Sequence, residues 1–249
     1  MSQNVTRVMR LVVYDLARGE AMKLLVFSVA VVASLAQPLV ARADTFVEPS
    51  SGTSFEKHPA SGASSFLCLG AGVRKYLLWK LYAMDFCIED GKGRTEIDRY
   101  FSGPGRRYAG MKGSDLAKAL ADDQGFFDFL VAMPIEKRAE MVFLRGGDAD
   151  KAREGFSKNL EKFLGTGDRE KTAIRDFVSA IDRPVNSGDR AVFVSHPGAQ
   201  LDFTFGANTR SLRHDKAERA FWGAYLGPDS PLGSMKEAVA QAVADLRGR

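Results

Sequence analysis

Arg74 follows Gly70-Ala71-Gly72 and stands among Leu69, Val73, Leu77, Leu78 and Trp79. A guanidinium in such company must point to water or meet an anionic or carbonyl group, because burying it unpaired is costly. Lys80 and Tyr82 follow at even spacing. On an ideal strand Arg74, Tyr76, Leu78, Lys80, Tyr82 and Met84 share one face, and Leu77, Trp79, Leu81 and Ala83 share the other. A polar-headed, aromatic-walled face suits an elongated ligand with one acidic end. The same pattern also fits a strand whose solvent face carries Arg and Lys. The residues alone leave both readings open.

Other chemistry is sparse. The sequence has no G-x-S-x-G elbow and no P-loop. Gly70-Ala71-Gly72-Val73-Arg74 lacks the third glycine of a dinucleotide fingerprint and does not open a helix. Asp122-Asp123 reads as a solvated helix end. His58, His196 and His214 each sit beside turn residues, without a Ser, Cys or carboxylate partner that the sequence can place, and read as exposed. Cys68 and Cys87 lack C-x-x-C spacing and lie far from the histidines, so no metal and no cofactor is expected. Buried free thiols on two strands are the favoured reading of the cysteines. A disulfide requires a hairpin turn near Leu77, which would set the two positions opposite one another.

The elements that must position these groups follow from periodicity. Phe46–Ala63 reads as an opening loop with one short strand. Ser65–Leu69 is a strand bounded by the glycines, and Val73–Ile88 is dense in β-formers up to Gly91-Lys92-Gly93. Tyr100–Tyr108 holds a Gly-Pro-Gly turn. Helices are expected from Asp115, over Asp148–Leu164, Arg169–Ile181 and Asp215–Leu226, and from the capping box Ser234-Met235-Lys236-Glu237 to about Leu246. Strands are expected at Ala139–Leu144, Ala191–Ser195 and Gln200–Phe205, the last two joined by His196-Pro197-Gly198-Ala199. This order predicts an α+β fold with an antiparallel sheet rather than alternating βαβ units.

The 249 residues are 45% hydrophobic and 27% charged, enough to bury a core without staples and unlike a disordered or collagenous chain. Of the net charge of +4, residues 1–43 supply +3. The remainder is nearly balanced and gives no electrostatic case for nucleic acid. Met22-Lys23, the apolar run Leu24–Ala36 and Ala41-Arg42-Ala43 form a secretory signal preceded by an upstream extension. The run is too short to span a bilayer. The expected mature chain is one domain, 44–249, beginning at Asp44 and working in a periplasmic or secreted setting.

The stretch LCLGAGVRKYLLWKLYAMDFCIE, Leu67–Glu89, resembles the signature hairpin of the chalcone isomerase superfamily in its bacterial exported branch. Ala173–Val194 resembles the family's helix, loop and next strand, and FWGAYLGPDSPLGSMK, Phe221–Lys236, its helix ending in Gly before the last helix. The resemblance implies an open-faced sandwich, a long antiparallel sheet covered by a layer of helices, with the ligand between them. In the plant enzymes a 2′-hydroxychalcone phenolate attacks its own enone, chemistry that needs conformer selection and charge stabilisation. The resemblance places the catalytic arginine at Arg74. It places the family's other groups at Tyr82, near Thr166, near Ala173 and at Ala224, none of which keeps the family residue. The fatty-acid-binding members pair the arginine with a tyrosine on the next strand, and Arg74 with Tyr82 matches that pair.

Three functions are therefore in play. One is a non-catalytic binder of a fatty acid or similar lipophilic carboxylate through Arg74 and Tyr82. Another is an intramolecular lyase with Arg74 as electrophile, which gains weight if a Thr, Asn or second Tyr reaches that spot from the helical layer. The third is an envelope structural or interaction protein.

Overall fold

The computed structural model describes residues 44–248. The expected signal and its cleavage site fall outside them. Nine strands are β1 (Thr45–Val47), β2 (Ser54–Glu56), β3 (Ala60–Ser61), β4 (Ser64–Tyr76), β5 (Trp79–Glu89), β6 (Lys137–Phe143), β7 (Arg190–His196), β8 (Gln200–Phe205) and β9 (Asn208–Arg213). Seven helices are α1 (Lys92–Ser102), α2 (Gly113–Ala121), α3 (Gln124–Ala132), α4 (Ala149–Leu164), α5 (Asp168–Val178), α6 (Ala217–Leu226) and α7 (Gly233–Arg247). Strands β3 to β9 form one antiparallel sheet in sequence order, and β1 and β2 pair separately. No helix among the described residues is long and apolar enough to cross a membrane.

The helices cover one face of the sheet. Its inner side chains, among them Met84, Phe86, Met141, Phe193 and Phe203, form one continuous core with Leu120, Phe177, Phe221, Trp222 and Val239 from the helices. Trp222 stacks edge-on against Phe86 and donates its indole N–H to Ser195 at 2.8 Å, so its polar atom is satisfied in full burial. The opposite face holds two small clusters, one around Phe55 of β2, Ala71 and Val142, the other around Phe66, Cys87 and Val194.

Several expectations are corrected. Val73–Ile88 is not one strand: Leu77 and Leu78 turn the chain, and Arg74 and Tyr82 belong to neighbouring strands. β4 runs unbroken through Gly70-Ala71-Gly72, because those glycines are packing positions rather than a turn. The hairpin sets Cys68 opposite Cys87, and the two are joined in a disulfide instead of standing as free thiols. The opening segment, expected to hold one short strand, holds β1, β2 and β3, and α1, α3 and β9 escaped the sequence reading as well. α1 starts between Gly91 and Gly93, which hides its inward residues Ile97, Tyr100 and Phe101. α3 starts immediately after α2, with Asp123 as its cap. β9 is too polar to read as a strand and pairs with β8 as an edge.

Asp123 is also no solvated helix end. It accepts hydrogen bonds from the Tyr100 and Tyr108 hydroxyls and pairs with Arg107. His196 likewise has the carboxylate partners that the sequence could not place: Nδ1 lies 2.7 Å from Glu136 and Nε2 3.0 Å from Asp202. Burial alone would lower the His196 pKa, but the bonds to Glu136 and Asp202 outweigh it and raise the pKa above the ordinary value. The folded chain therefore holds a proton that the unfolded chain releases. This stabilisation is complete below about pH 6.5 and is lost as pH rises through the raised folded-state value. Glu136 and Asp202 are shifted downward, so their contributions change only at lower pH. Denaturant titrations across this range should show the decline in wild type and a flatter profile in His196→Gln. Parallel profiles would contradict the charged triad.

Candidate functional site

Arg74 and Tyr82 are direct cross-strand partners, so both side chains rise from the same face of the sheet. The face is the helix-covered one, since Tyr82 alternates with the core residues Met84 and Phe86. On β4 the positions preceding Arg74 on that face are Gly70 and Gly72. A Cβ at Gly70 would lie 2.7 Å from the Ala238 Cβ, and one at Gly72 would lie 2.7 Å from the Met235 backbone nitrogen. The two glycines thus let α7 lie directly on the strand. α7 begins over Gly72, so Arg74, one pleat further, stands beyond the helix's N-terminal end. The positive end of the helix and the guanidinium both favour an anion there.

The third member comes from the helices. Tyr225, buried at the end of α6, lies close enough to Tyr82 for each to shift the other's ionisation. Burial raises the Tyr82 pKa, and the Tyr225 hydroxyl and the Arg74 charge offset this in part. Tyr225 is raised further, by burial first and then by Tyr82. Both phenols are therefore neutral donors around pH 7. Among the described residues, the ion pairs made by arginines involve other positions, and no carboxylate pairs with Arg74. The cluster is one guanidinium and two phenols converging without an acidic group of their own.

Behind Tyr225 runs a crevice lined by Phe156, Asn159 and Leu160 of α4, Phe177 of α5, and Phe221 and Ala224 of α6. Its free volume is about 10 Å³, room for about one water. An alkyl chain would enter only by parting these helices.

The carried-over positions divide sharply. Thr166 is exposed in the α4–α5 connection, and Ala173 packs within α5. Neither belongs to the crevice, whereas Ala224 lines it. The helical-layer groups that do reach it, Tyr225 and Asn159, were missed. Asn159 did carry a signal: it is a polar residue on the apolar stripe defined by Phe156 and Leu160. Tyr225 follows Ala224, and only the rotation of α6 decides which of the two meets Tyr82.

A second group missed by sequence lies on the sheet's other face. Asp85 is fully buried, accepts the Glu140 N–H at 2.5 Å, and lies 3.8 Å from Arg138. Burial pushes its pKa up to about 7, against the pull of Arg138 and the Glu140 amide. Its carboxylate is 3.7 Å from the Cys68 sulfur. Cys68, Asp85 and Cys87 cluster closely, but the sulfurs are bonded to each other, which leaves one carboxylate as a possible metal ligand.

A long antiparallel sheet covered on one face by a layer of helices is the chalcone isomerase-like fold. Among solved structures the chain is similar to the fatty-acid binding protein of Arabidopsis thaliana, at a TM-score of 0.62 and 21% identity, covering 83% of this chain and 100% of that one. No family model matches the chain. No curated protein matches it either.

Proposed function

We propose that the protein is a non-catalytic binder of a fatty acid or similar lipophilic carboxylate, and that it is exported. The observation that carries this reading is the grouping of Arg74 and Tyr82 on one face of the sheet with Tyr225, which lines an apolar crevice, while among the described residues no carboxylate pairs with Arg74. A guanidinium with phenol donors matches a carboxylate head group. The structurally similar Arabidopsis protein binds fatty acids, which supports the same ligand class here. The Cys68–Cys87 disulfide suits an oxidising compartment. Mass spectrometry of protein recovered from the extracytoplasmic fraction tests both parts. It should find a chain beginning at Asp44 and a co-extracted fatty acid. A chain retaining Met1 or Met22 would remove the export reading, and native protein free of any lipophilic acid would weigh against the ligand.

One observation favours the lyase alternative: a second tyrosine, Tyr225, does reach the Arg74–Tyr82 pair from the helical layer. It is a neutral donor and could stabilise developing negative charge. Thr166 and Ala173 nevertheless lie outside the crevice and Ala224 has no hydroxyl, so these three positions do not supply the phenol-orienting groups. We expect no conversion of 2′-hydroxychalcones above background in stopped-flow absorbance. Flavanone formation that disappears in Arg74→Ala would establish the enzyme instead.

A further inference from the structure

The β4–β5 turn breaks the rules for its position. A two-residue hairpin turn favours Asn-Gly or a similar pair that tolerates positive φ at low cost. Here it is Leu77-Leu78, with Leu77 at a φ of 53°. Both leucines project into solvent, 81% and 95% exposed, and the pair flanking them, Tyr76 and Trp79, is more than half exposed. Four consecutive large apolar side chains thus cap the end of a hairpin that extends from the sheet, at the end of the strands where Arg74 lies. A local rule broken in this way, at the cost of both strain and exposure, marks a functional position more often than an accident.

The surroundings of the tip are basic. From Val73 to Ala83 the sequence holds Arg74, Lys75 and Lys80 and no acidic residue. Lys75 and Lys80 face each other across the hairpin directly behind the tip. The Lys80 ammonium donates to the Ser50 carbonyl, which steadies the collar on that side. Arg145, from the segment after β6, stacks its guanidinium 3.8 Å from the Trp79 ring centre. An aliphatic point, an aromatic pair with polar edges and a ring of cations repeat in order the layers of an anionic bilayer surface: acyl chains, interface and head groups. A protein partner is the poorer fit, since lysine is depleted where protein surfaces bury each other.

We propose that the Tyr76–Trp79 hairpin tip is a membrane-docking device that inserts into the interface of bilayers containing anionic lipid. Leu77 and Leu78 enter the acyl boundary, Tyr76 and Trp79 lie at the glycerol level, and Lys75, Lys80 and Arg145 meet phosphates. The inference goes beyond the head-group reading and rests on different side chains, so either can fail alone. Docking of this kind would also bring Arg74 close to the lipid surface.

The full chain reports on this through its own fluorescence. It has two tryptophans, of which Trp222 is fully buried and Trp79 exposed. Mixed phosphatidylcholine–phosphatidylglycerol vesicles should shift Trp79 emission to the blue, and lipids brominated near the top of the acyl chain should quench it. Pure phosphatidylcholine should act weakly, and added salt should weaken the response to the mixed vesicles. The double variant Leu77→Ser/Leu78→Ser should need about tenfold more lipid or beyond, given the apolar area it removes. Lys75→Gln/Lys80→Gln should lose the preference for phosphatidylglycerol. Matching thermal transitions would show that these exposed substitutions leave the fold intact. Three results would overturn the proposal: co-sedimentation of the chain with vesicles while Trp79 emission stays fixed, lipid binding by the serine variant equal to wild type, or a Trp79 shift that follows protein concentration without lipid, which would assign the tip to self-association.

Discussion

Gly70→Ala should destabilise the protein by about 1–3 kcal/mol, the usual cost of overpacking a filled core. The added methyl would fall 2.7 Å from the Ala238 Cβ and 2.9 Å from the Val239 backbone nitrogen, so the α7 backbone itself must move. In a domain of this size each kcal/mol lowers Tm by about 2–4 °C. Gly155→Ala is the control. Gly155 lies inside α4 with nothing near its missing Cβ. Alanine there should stabilise by about 0.5–1 kcal/mol, because it reduces the unfolded chain's freedom without a clash. Paired thermal and denaturant melts decide the matter. Equal Tm for Gly70→Ala and wild type would mean that α7 does not rest on the glycine pair. Any displacement of α7 should also carry over to ligand binding, since its N-terminal end stands beside Arg74.

Arg74→Ala should weaken a bound fatty acid by about 10- to 150-fold, the equivalent of the 1.5–3 kcal/mol of a hydrogen bond to a charged group. Tyr82→Phe should lose less, since it removes one neutral donor. Tyr225→Phe should lose less again if Tyr225 acts by orienting the Tyr82 hydroxyl. The closed crevice adds a kinetic expectation: binding requires α4 and α5 to part from α6, so association should be slow compared with an encounter at an open groove. Calorimetric and stopped-flow titrations of the three variants separate these effects. A Tyr225→Phe loss equal to that of Arg74→Ala would assign Tyr225 a direct contact with the ligand.

The sequence carried the sheet because alternation survives in β7 and β8 and β6 is an apolar run stopped by Gly146-Gly147, and it carried α4 and α5 through their apolar stripes and α7 through the start signal at Ser234–Glu237. It hid α1 and α3, where glycines and a shared Asp122-Asp123 boundary masked the helical period. It misread the glycines at 70 and 72, since a glycine kept for close helix packing looks the same in one dimension as a glycine kept for a turn. The site was half legible. Arg74 and Tyr82 were singled out by residue type. The face they share was argued from the parity of a single strand, whereas it arises from a hairpin with an irregularity between Arg74 and Lys75. Tyr225 and Asn159 depend on how helices far along the chain are rotated, which local periodicity sets only to within a residue. The Asp85–Arg138 pair and the Glu136 carboxylate beside His196 are long-range products of strand register and leave no trace in spacing, whereas Asp202 reaches His196 across the short β7–β8 hairpin.

The most direct test of the head-group claim compares a fatty acid with the fatty alcohol of the same chain length, titrated into wild type and Arg74→Ala by calorimetry. Wild type should prefer the acid by about tenfold or more, on the same charged-hydrogen-bond scale. Arg74→Ala should bind both weakly and nearly alike. Equal affinity of wild type and Arg74→Ala for the acid would contradict the claim and return Arg74 to the role of a surface charge at the edge of an apolar sheet.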